Sequence, residues 1–421
     1  MALAALALAW MPWSPRSARA EAPAPDAAAT TPATALTLAA ALARAAEHAP
    51  RVRASLHAVK GAEARRVGAG VLFPANPRLS LDARQPIEQA QGTHTGWAAT
   101  LELPMEVGGA PAARVREAER LGDVARVDLQ VERVTARAAA WAAYALASVS
   151  ELRRAETDAL VAIAERIAAA SERREQAGAT GDIERSLAAT ELSEFRAAAE
   201  EARTRREIHL SELRTLLDLP ADEALELTTP LEDPGAVPDE APLVAHALAT
   251  RPELEATRRR VRLLEATDER LARETFPRVG PFVGVDMSPS SVAYAMLGVA
   301  VELPVAQRNQ GPRAVAQASR AGELDRLGVE ARAIAREVAA TRAAYRARHE
   351  QLRILTEQAL PSVERTLELV QVGWMSGRFD LFRVTSAARD VARVRSLRLD
   401  ALETAWLQRI ALARAAGNIE P

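Results

Sequence analysis

The longest regular pattern of apolar positions in the chain runs from Pro111 to Gln176. Apolar or small residues recur there in steps of three and four over about five heptads, with polar residues between them. This spacing is typical of a helix that supercoils against other helices. The repeating positions are Val124, Val127, Val131, Val134, Ala138, Trp141, Ala145, Ser148, Leu152, Ala155, Ala159 and Ala162. At a rise of 1.5 Å per residue, the pattern predicts a rod of about 100 Å that has to pack against other rods.

Two other stretches alternate with a period of two, which is the period of a β-strand. The first spans residues 78–104 and turns near Gly92, and the second spans residues 279–304 and turns at residues 288–291. Each stretch is therefore predicted to form a β-hairpin. No further strands are predicted. One side of each hairpin is apolar, and the other side carries four acids: Asp82, Glu102, Asp286 and Glu302.

The same order of elements occurs twice in the chain, with matching landmarks about 200 residues apart. Pro50 and Pro252 each open a helix, and the tripeptide at residues 102–104 recurs at residues 302–304. A second rod follows the second hairpin, and Pro361 is expected to kink it. We therefore predict a tandem duplication of one unit that consists of a helix, a hairpin, a long helix and a return helix.

The predicted domain organisation follows from this duplication. The first repeat covers residues 36–218, a connector covers residues 219–241, and the second repeat covers residues 242–418. The first repeat has a hairpin at residues 78–104, a long helix at 111–176 and a return helix at 182–217. The second repeat has its hairpin at residues 279–304, its long helix at 312–371 and its return helix at 380–416. The second repeat also opens with a helix at residues 252–275. The fold class is mainly α with a small β part.

The first residues have the features of an export signal. A short apolar run precedes the small residues Ala18 and Ala20, so residues 1–20 are predicted to be a signal peptide. Residues 21–35 are rich in Ala, Pro and Thr and are predicted to be a flexible leader. No later stretch has about 18 consecutive apolar residues, so no transmembrane helix is predicted.

The amino-acid composition argues against several classes of function. The formal net charge is −2 and charges of both signs are interspersed, which argues against a nucleic-acid partner. The chain has no cysteine, which excludes disulfides, thiolate metal sites and a lipidated N-terminal cysteine. The six histidines are scattered without metal-ligand spacing, and we find no catalytic motif. We predict no catalysis, no cofactor and no bound metal.

The hairpins decide between a soluble and a membrane protein. Their strands are about nine to eleven residues long, which is the length that crosses a bilayer when tilted. A membrane sheet has to close, because every backbone group in lipid needs a partner. Four strands cannot close, since the smallest such barrels have about eight. Three copies of the chain would supply twelve strands and twelve helices. The alternative is a periplasmic coiled-coil scaffold whose hairpins cap a bundle.

These residues resemble the TolC-type outer-membrane efflux proteins. The resemblance covers nearly the whole mature chain and rests on the duplicated layout, on the hairpin exits at residues 102–111 and 302–312, and on the tip motifs at residues 177–183 and 372–381. It implies a homotrimer with a twelve-strand β-barrel in outer-membrane lipid and a helical coiled-coil barrel in the periplasm. It also implies that the tips dock with a periplasmic adaptor protein, which links the channel to an inner-membrane pump. The length and the missing lipidation cysteine are similar to the heavy-metal, cobalt-zinc-cadmium branch, which resistance-nodulation-division pumps serve.

The resemblance also implies roles for single residues. Acids just after the second tip form rings at the periplasmic entrance in this family, and Asp380 is the matching acid here. The usual second acid falls near Arg383, which puts a double ring in doubt. Arg378 would pair between protomers as a gate residue. The simpler alternatives are that Asp380 caps a helix and that Arg378 is a solvated loop residue. Asp182 and Glu184 are weaker candidates at the first tip. The expected adaptor-docking residues are Gly178, Thr180, Gly181, Gly373, Ser376 and Gly377.

The sequence therefore predicts a passive, gated exit duct of a tripartite efflux system. The exported compounds are expected to be metal cations or small toxic compounds, and the acids of the hairpins are expected to face the lumen of the barrel. Two alternatives stay open at this point. One is the outer-membrane duct of a type I protein-secretion system, and the other is the non-channel scaffold.

Overall fold

The computed structural model describes residues 34–71, 73, 75–85, 95–178, 181–289 and 292–419. The predicted signal peptide and leader up to residue 33 lie outside the described residues. The helices are α1 Leu38–His48, α2 Pro50–Ala69, α3 Ala110–Gln176, α4 Asp182–Leu216, α5 Glu240–Thr250, α6 Pro252–Arg273, α7 Gln310–Ile354, α8 Leu360–Met375 and α9 Leu381–Ala416. The strands are β1 Thr34–Leu36, β2 Arg78–Arg84, β3 Gly96–Glu102, β4 Met105–Glu106, β5 Leu225–Leu227, β6 Arg278–Met287 and β7 Ala293–Glu302.

The helices lie side by side in a layer. Next to the sheet their order is α2, α3, α6 and α7, and each helix packs against the next. Towards the far end, α3 pairs with α4, α8 pairs with α9, and α3 also packs against α9. In the described part of the chain, no helix combines the length and the apolar character that crossing a membrane requires.

The four long strands form one antiparallel sheet in the order β2, β3, β6, β7, and β4 adds a short pairing to β6. The register joins the two predicted hairpins directly, because Ala98 on β3 lies opposite both Asp82 on β2 and Asp286 on β6. Strands β2 and β7 are the two edges of this sheet. A single chain therefore holds an open sheet with one unpaired edge on each side.

Two prolines interrupt the pairing of β6 with its neighbour at the level where the sheet meets the helices. Pro104 separates β3 from β4, and Pro281 lies opposite this gap on β6. The Leu103 backbone N–H donates to the Pro281 carbonyl at 3.0 Å. Pro281 has no N–H with which to return this hydrogen bond, so one bond of the ladder between these strands is missing at this level.

The prediction that strands occur only in the hairpins is wrong. Strand β1 pairs in parallel with β5, which lies in the predicted connector, and α5 begins in that connector at Glu240. Two buried tyrosines, one on α3 and one on α7, hold the segments at Leu36 and Pro234. The Tyr144 hydroxyl donates to the Leu36 carbonyl at 3.1 Å, and the Tyr345 hydroxyl donates to the Pro234 carbonyl at 2.9 Å. Burial raises the pKa of Tyr345 to about 12, so this hydroxyl keeps its proton in the physiological range.

The predicted seam of α3 is buried at Val124, Ala138, Trp141 and Ala145 and half-buried at Val127, Val131 and Val134, and it fails beyond Ala145. Ala155 and Ala159 are exposed, and the buried positions beyond Leu152 are Arg153, Leu160, Ala164, Ile167 and Ser171. The buried stripe moves because four-residue steps follow one another, as they do when a straight 3.6-residue helix drifts from a strict heptad.

The second rod contains a π-helical turn, Leu355–Ala359, between α7 and α8. Pro361 follows this turn directly. Its missing N–H and bulky ring disrupt the bonds of the preceding turn, and a widened turn accommodates the change. The structure thus shows a wide turn beside Pro361, and the expected kink stays a prediction.

Candidate functional site

All four predicted lumen acids lie on one face of the sheet, because residues opposite each other in an antiparallel pair point to the same side. The register puts Arg78 opposite Glu102 on the first hairpin and Arg278 opposite Glu302 on the second, and each pair is separated by 3.8 Å. Asp286 accepts from Arg84 at 3.0 Å across the small Ala98. The structure therefore pairs three of these acids with arginines, which sequence analysis did not anticipate.

The opposite face of the sheet is apolar without interruption. Its side chains are Leu79, Leu81, Ala83, Trp97, Ala99, Leu101, Val279, Pro281, Val283, Val285, Met287, Ala293, Ala295, Leu297, Val299 and Val301. Several of them are well exposed, with Leu297 at 87%. Such an exposed apolar surface marks a region that meets lipid or another protein.

The second tip, between α8 and α9, holds Asp380 in a capping geometry. Its carboxylate accepts from the Arg383 backbone N–H at 3.2 Å and caps the N-terminus of α9. The side chain is nevertheless exposed, so the cap leaves one side of the carboxylate open to solvent. The Arg383 guanidinium lies 5.1 Å from the centre of the Phe379 ring. Capping and a charged ring are thus compatible roles for Asp380.

The turn that precedes Asp380 is tightly built. Gly377 has a positive φ of 74°, and the Arg378 backbone N–H donates to the Gly373 carbonyl at 2.8 Å. A Cβ on Gly373 would overlap the Phe379 ring, so this position needs glycine. The Ser376 hydroxyl also donates to the Gly373 carbonyl, at 3.0 Å. Arg378 itself has an exposed side chain.

The first tip joins α3 to α4. Gly178 has a positive φ of 71° after the last turn of α3, and Gly181 precedes α4. The predicted docking residue Thr180 lies outside the described residues. Arg185 forms an ion pair with Asp182 and a second one with Glu175 at 3.0 Å, so the first turn of α4 is tied to the end of α3. Both acids lie beside an arginine three residues later in the chain, since Asp380 lies 4.0 Å from the Arg383 guanidinium, but of the two only Asp380 also caps its helix through its side chain.

One link between the two tips was missed by sequence analysis. The Arg174 guanidinium of α3 donates to the Trp374 carbonyl of α8 at 3.0 Å and lies 5.3 Å from the centre of the Trp374 ring. Trp374 is buried among Ile167, Ala188 and Leu381. The only signal in the sequence is a tryptophan in the second tip motif, which does not identify its arginine partner.

A second missed link joins the return helices α4 and α9. Glu191 of α4 accepts from Arg389 of α9 at 2.7 Å, and its side chain is only 3% exposed. Burial raises the pKa of Glu191, although the Arg389 guanidinium opposes the shift. Arg389 is half exposed and also lies 3.6 Å from Glu194. The pair connects the two tip hairpins about three turns from their ends.

The described residues contain no group of three or more histidines and acids arranged to hold a metal ion. The charges of the candidate site are instead distributed along the polar sheet face and at the two tips.

Comparison with known proteins identifies relatives of the whole architecture. No protein-family model matches the chain. The chain is 27% identical to the cobalt-zinc-cadmium resistance protein CzcC of Cupriavidus metallidurans over 325 residues, which are 71% of this chain and 72% of that protein.

Two solved structures are similar to the fold over nearly its full length. The MtrE outer-membrane channel of Neisseria gonorrhoeae matches with a TM-score of 0.73 and 16% identity, covering 90% of this chain and 89% of that one. The outer-membrane protein VceC of Vibrio cholerae matches with a TM-score of 0.70 and 17% identity, covering 91% and 97%. The fold is therefore that of these outer-membrane proteins.

Proposed function

We propose that this chain, which is of the TolC type, is the outer-membrane exit duct of a tripartite efflux system. The sheet lies in the outer membrane and the helices extend into the periplasm. The difference between the two faces of the sheet is the main support for this proposal. One face is wholly apolar and exposed, and the other face holds paired charges. Apolar side chains outside and polar ones inside are the pattern of a membrane β-barrel.

The open sheet supports an assembly of copies. Edge strands β2 and β7 expose unpaired backbone groups, which cannot be left unpaired in lipid. Joining β7 of one copy to β2 of the next removes both edges. Three copies of the four long strands give a twelve-strand barrel, which lies within the known range of closed barrels. We therefore propose a homotrimer built from two tandem repeats in each chain.

The similarity to CzcC supports the finer parts of the proposal. The partners are a periplasmic adaptor protein at the tips and an inner-membrane pump of the resistance-nodulation-division type. The exported compounds are divalent metal cations or small toxic compounds. Asp380 would attract cations at the entrance, since three symmetry-related carboxylates near one axis focus a negative field. Arg378 would act beside it as a gate residue, and the glycines and Ser376 of the tips would shape the docking surface.

The test combines fractionation, conductance and metal tolerance. We expect a heat-resistant trimer in the outer-membrane fraction, ion conductance in planar bilayers, and a deletion strain that is sensitive to zinc, cobalt or cadmium. A soluble periplasmic monomer without conductance would overturn the duct. Conductance together with unchanged metal tolerance and the loss of a secreted protein would instead indicate a type I secretion duct.

A further inference from the structure

Helices α3 and α6 join the first repeat to the second through ion pairs. We call this contact the inner seam. Its ion pairs connect Arg270 with Glu117 at 2.6 Å, Arg260 with Asp128 at 2.7 Å, Arg116 with Glu269 at 2.5 Å, and Arg259 with Asp123 at 3.6 Å. The inner seam is therefore strongly polar along its whole length.

The helices at the two ends of the layer have no such neighbour in the described part of the chain. Near the sheet, α3 packs against both α2 and α6, whereas the described parts of α2 and α7 each have one long helix beside them there; α7 packs against α5 and α9 farther from the sheet. The strands follow the same order, with β2 and β7 at the open edges. Joining β7 to β2 of the next copy therefore brings α7 of one copy beside α2 of the other.

The tandem repeat tells which residues would meet there. Helix α2 corresponds to α6 with an offset of 202 residues, because Pro50 opens the first and Pro252 opens the second. Helix α3 corresponds to α7 with an offset of 201 residues, because Tyr144 corresponds to Tyr345. The four ion pairs of the inner seam then map onto Gly68 with Ala318, Ala58 with Val329, Val67 with Gln317, and His57 with Leu324. None of the four pairs has opposite charges, and in the single chain the Gln317 amide donates to Asp268 of α6 at 3.3 Å.

We propose that α2 of one copy packs on α7 of the next copy, in a closing seam that lacks the ion pairs of the inner seam. This inference rests on the proposed oligomeric duct and specifies how its copies meet. Val329 is 52% exposed in the single chain and faces the small Ala58 of the next copy. Apolar contacts, which salt does not screen, hold the copies together.

The difference between the seams also prevents wrong associations. If α6 met α7 of another copy through its α3-facing side, Arg260 and Arg270 would face Val329 and Ala318 and would lose their carboxylate partners. Desolvating an unpaired guanidinium is unfavourable, so this pairing is disfavoured. At the four mapped positions, α2 and α7 bring no guanidinium that would be left without a carboxylate partner.

The first experiment locates the closing seam by cross-linking. The chain has no cysteine, so the variant Gly68→Cys with Ala318→Cys carries only the two engineered thiols. A short bismaleimide added to the membrane-embedded protein is expected to give covalent dimers and trimers on denaturing gels. The matched control is Gly68→Cys with Val329→Cys, where the second thiol is displaced along α7 by about 16 Å. A conducting trimer in which the first variant gives no more inter-chain product than the control would overturn the closing seam.

The second experiment moves an ion pair from the inner seam into the closing seam. Val329→Asp places a carboxylate against Ala58 and is expected to raise the monomer fraction after mild heating by about tenfold. Adding Ala58→Arg rebuilds the Arg260–Asp128 pair between copies and is expected to restore the trimer. Ser319→Asp, exposed on another side of α7, is the control that should leave the trimer unchanged.

The two proposals fail in different ways. If the wild-type protein is a conducting trimer and Val329→Asp leaves it intact, the closing seam is wrong and the duct stands. If the wild-type protein neither assembles nor conducts, the duct itself is wrong. Circular dichroism of every variant checks that the helices of the single chain remain folded.

Discussion

The guanidinium of Arg174 donates to the Trp374 carbonyl at 3.0 Å and lies 5.3 Å from the centre of the Trp374 ring, so one side chain of α3 ties the first tip to the second. Its hydrogen bond to a backbone carbonyl is charge-assisted, and the ring contact adds a cation–π attraction. Together these contacts resist separation of the two tips within one protomer.

Replacing Arg174 by alanine is expected to loosen the periplasmic end. Losing the hydrogen bond and the ring contact should cost about 2 kcal/mol of the interaction between the tips. Single-channel recordings should then show a higher conductance or longer openings than in the wild type. Arg173→Ala is the control, because Arg173 is exposed on the same turn. Equal conductance in both variants would mean that the link does not restrain opening.

Replacing Asp380 by asparagine separates its charge from its capping role. Asparagine caps helices as well as aspartate does, so the free energy of unfolding should change by less than about 0.5 kcal/mol. The cation-to-anion permeability ratio should fall by about threefold, because the proposed ring of carboxylates would be lost. Reversal potentials in a salt gradient measure this ratio. Asp182→Asn is the comparison at the first tip, and an unchanged ratio for Asp380→Asn would leave the residue with capping alone.

Glu191 makes stability depend on pH in a direction opposite to that of an ordinary paired carboxylate. Its pKa is raised above the usual 4.5 because the group is buried. The stabilisation that protonated Glu191 contributes is complete below the pKa that this group has in the unfolded chain. It is lost as the pH rises through the raised pKa that the group has in the folded chain. Thermal unfolding measured as the pH rises from 4.5 should therefore show a contribution that Glu191→Gln removes.

At neutral pH we expect Glu191→Gln to change the free energy of unfolding by no more than about 1 kcal/mol, since the amide fits the same site and Arg389 stays half exposed. Glu194→Gln is the matched control, because Glu194 also faces Arg389 but is exposed. A variant with the same pH profile as the wild type would show that Glu191 does not titrate in this range.

The two faces of β7 should respond differently to charge. Leu297→Arg places a guanidinium near the middle of the apolar face and should destabilise the membrane-inserted state by about 2 to 4 kcal/mol. Met296→Arg, one residue away, places the same group on the polar face and should be tolerated. The yield of heat-resistant oligomer from the outer membrane measures the difference. Equal loss in both variants would contradict the assignment of the faces.

The parts of this fold that sequence analysis identified are those with a strong local period. Residues 78–84 and 96–102 alternate with a period of two, and α3 repeats in steps of three and four, so neighbouring residues alone define these elements. The pairing of β1 with β5 could not be found in this way. These strands have three residues each, and Tyr144, far away in sequence, accepts from the Thr229 backbone N–H beside them at 2.9 Å.

The candidate site shows the same division between local and distant information. The capping role of Asp380 is a local property, and the sequence indicates it because Asp380 stands directly before a helix. The partners of Arg174 and Glu191 lie about 200 residues away on other helices. The shift of the buried stripe beyond Leu152 was also missed, because the alanines there fit either face of the helix equally well.

The two prolines at the junction of sheet and helices have a mechanical consequence. Pro281 removes one ladder hydrogen bond opposite the gap at Pro104 between β3 and β4, so the strands there are held together less firmly than the strands on either side. In the proposed trimer this level would form a compliant ring, and we expect it to absorb a torque on the tips before the torque reaches the strands proposed to face lipid. The proposed duct could thus turn at its tips while its strands in the membrane stay still.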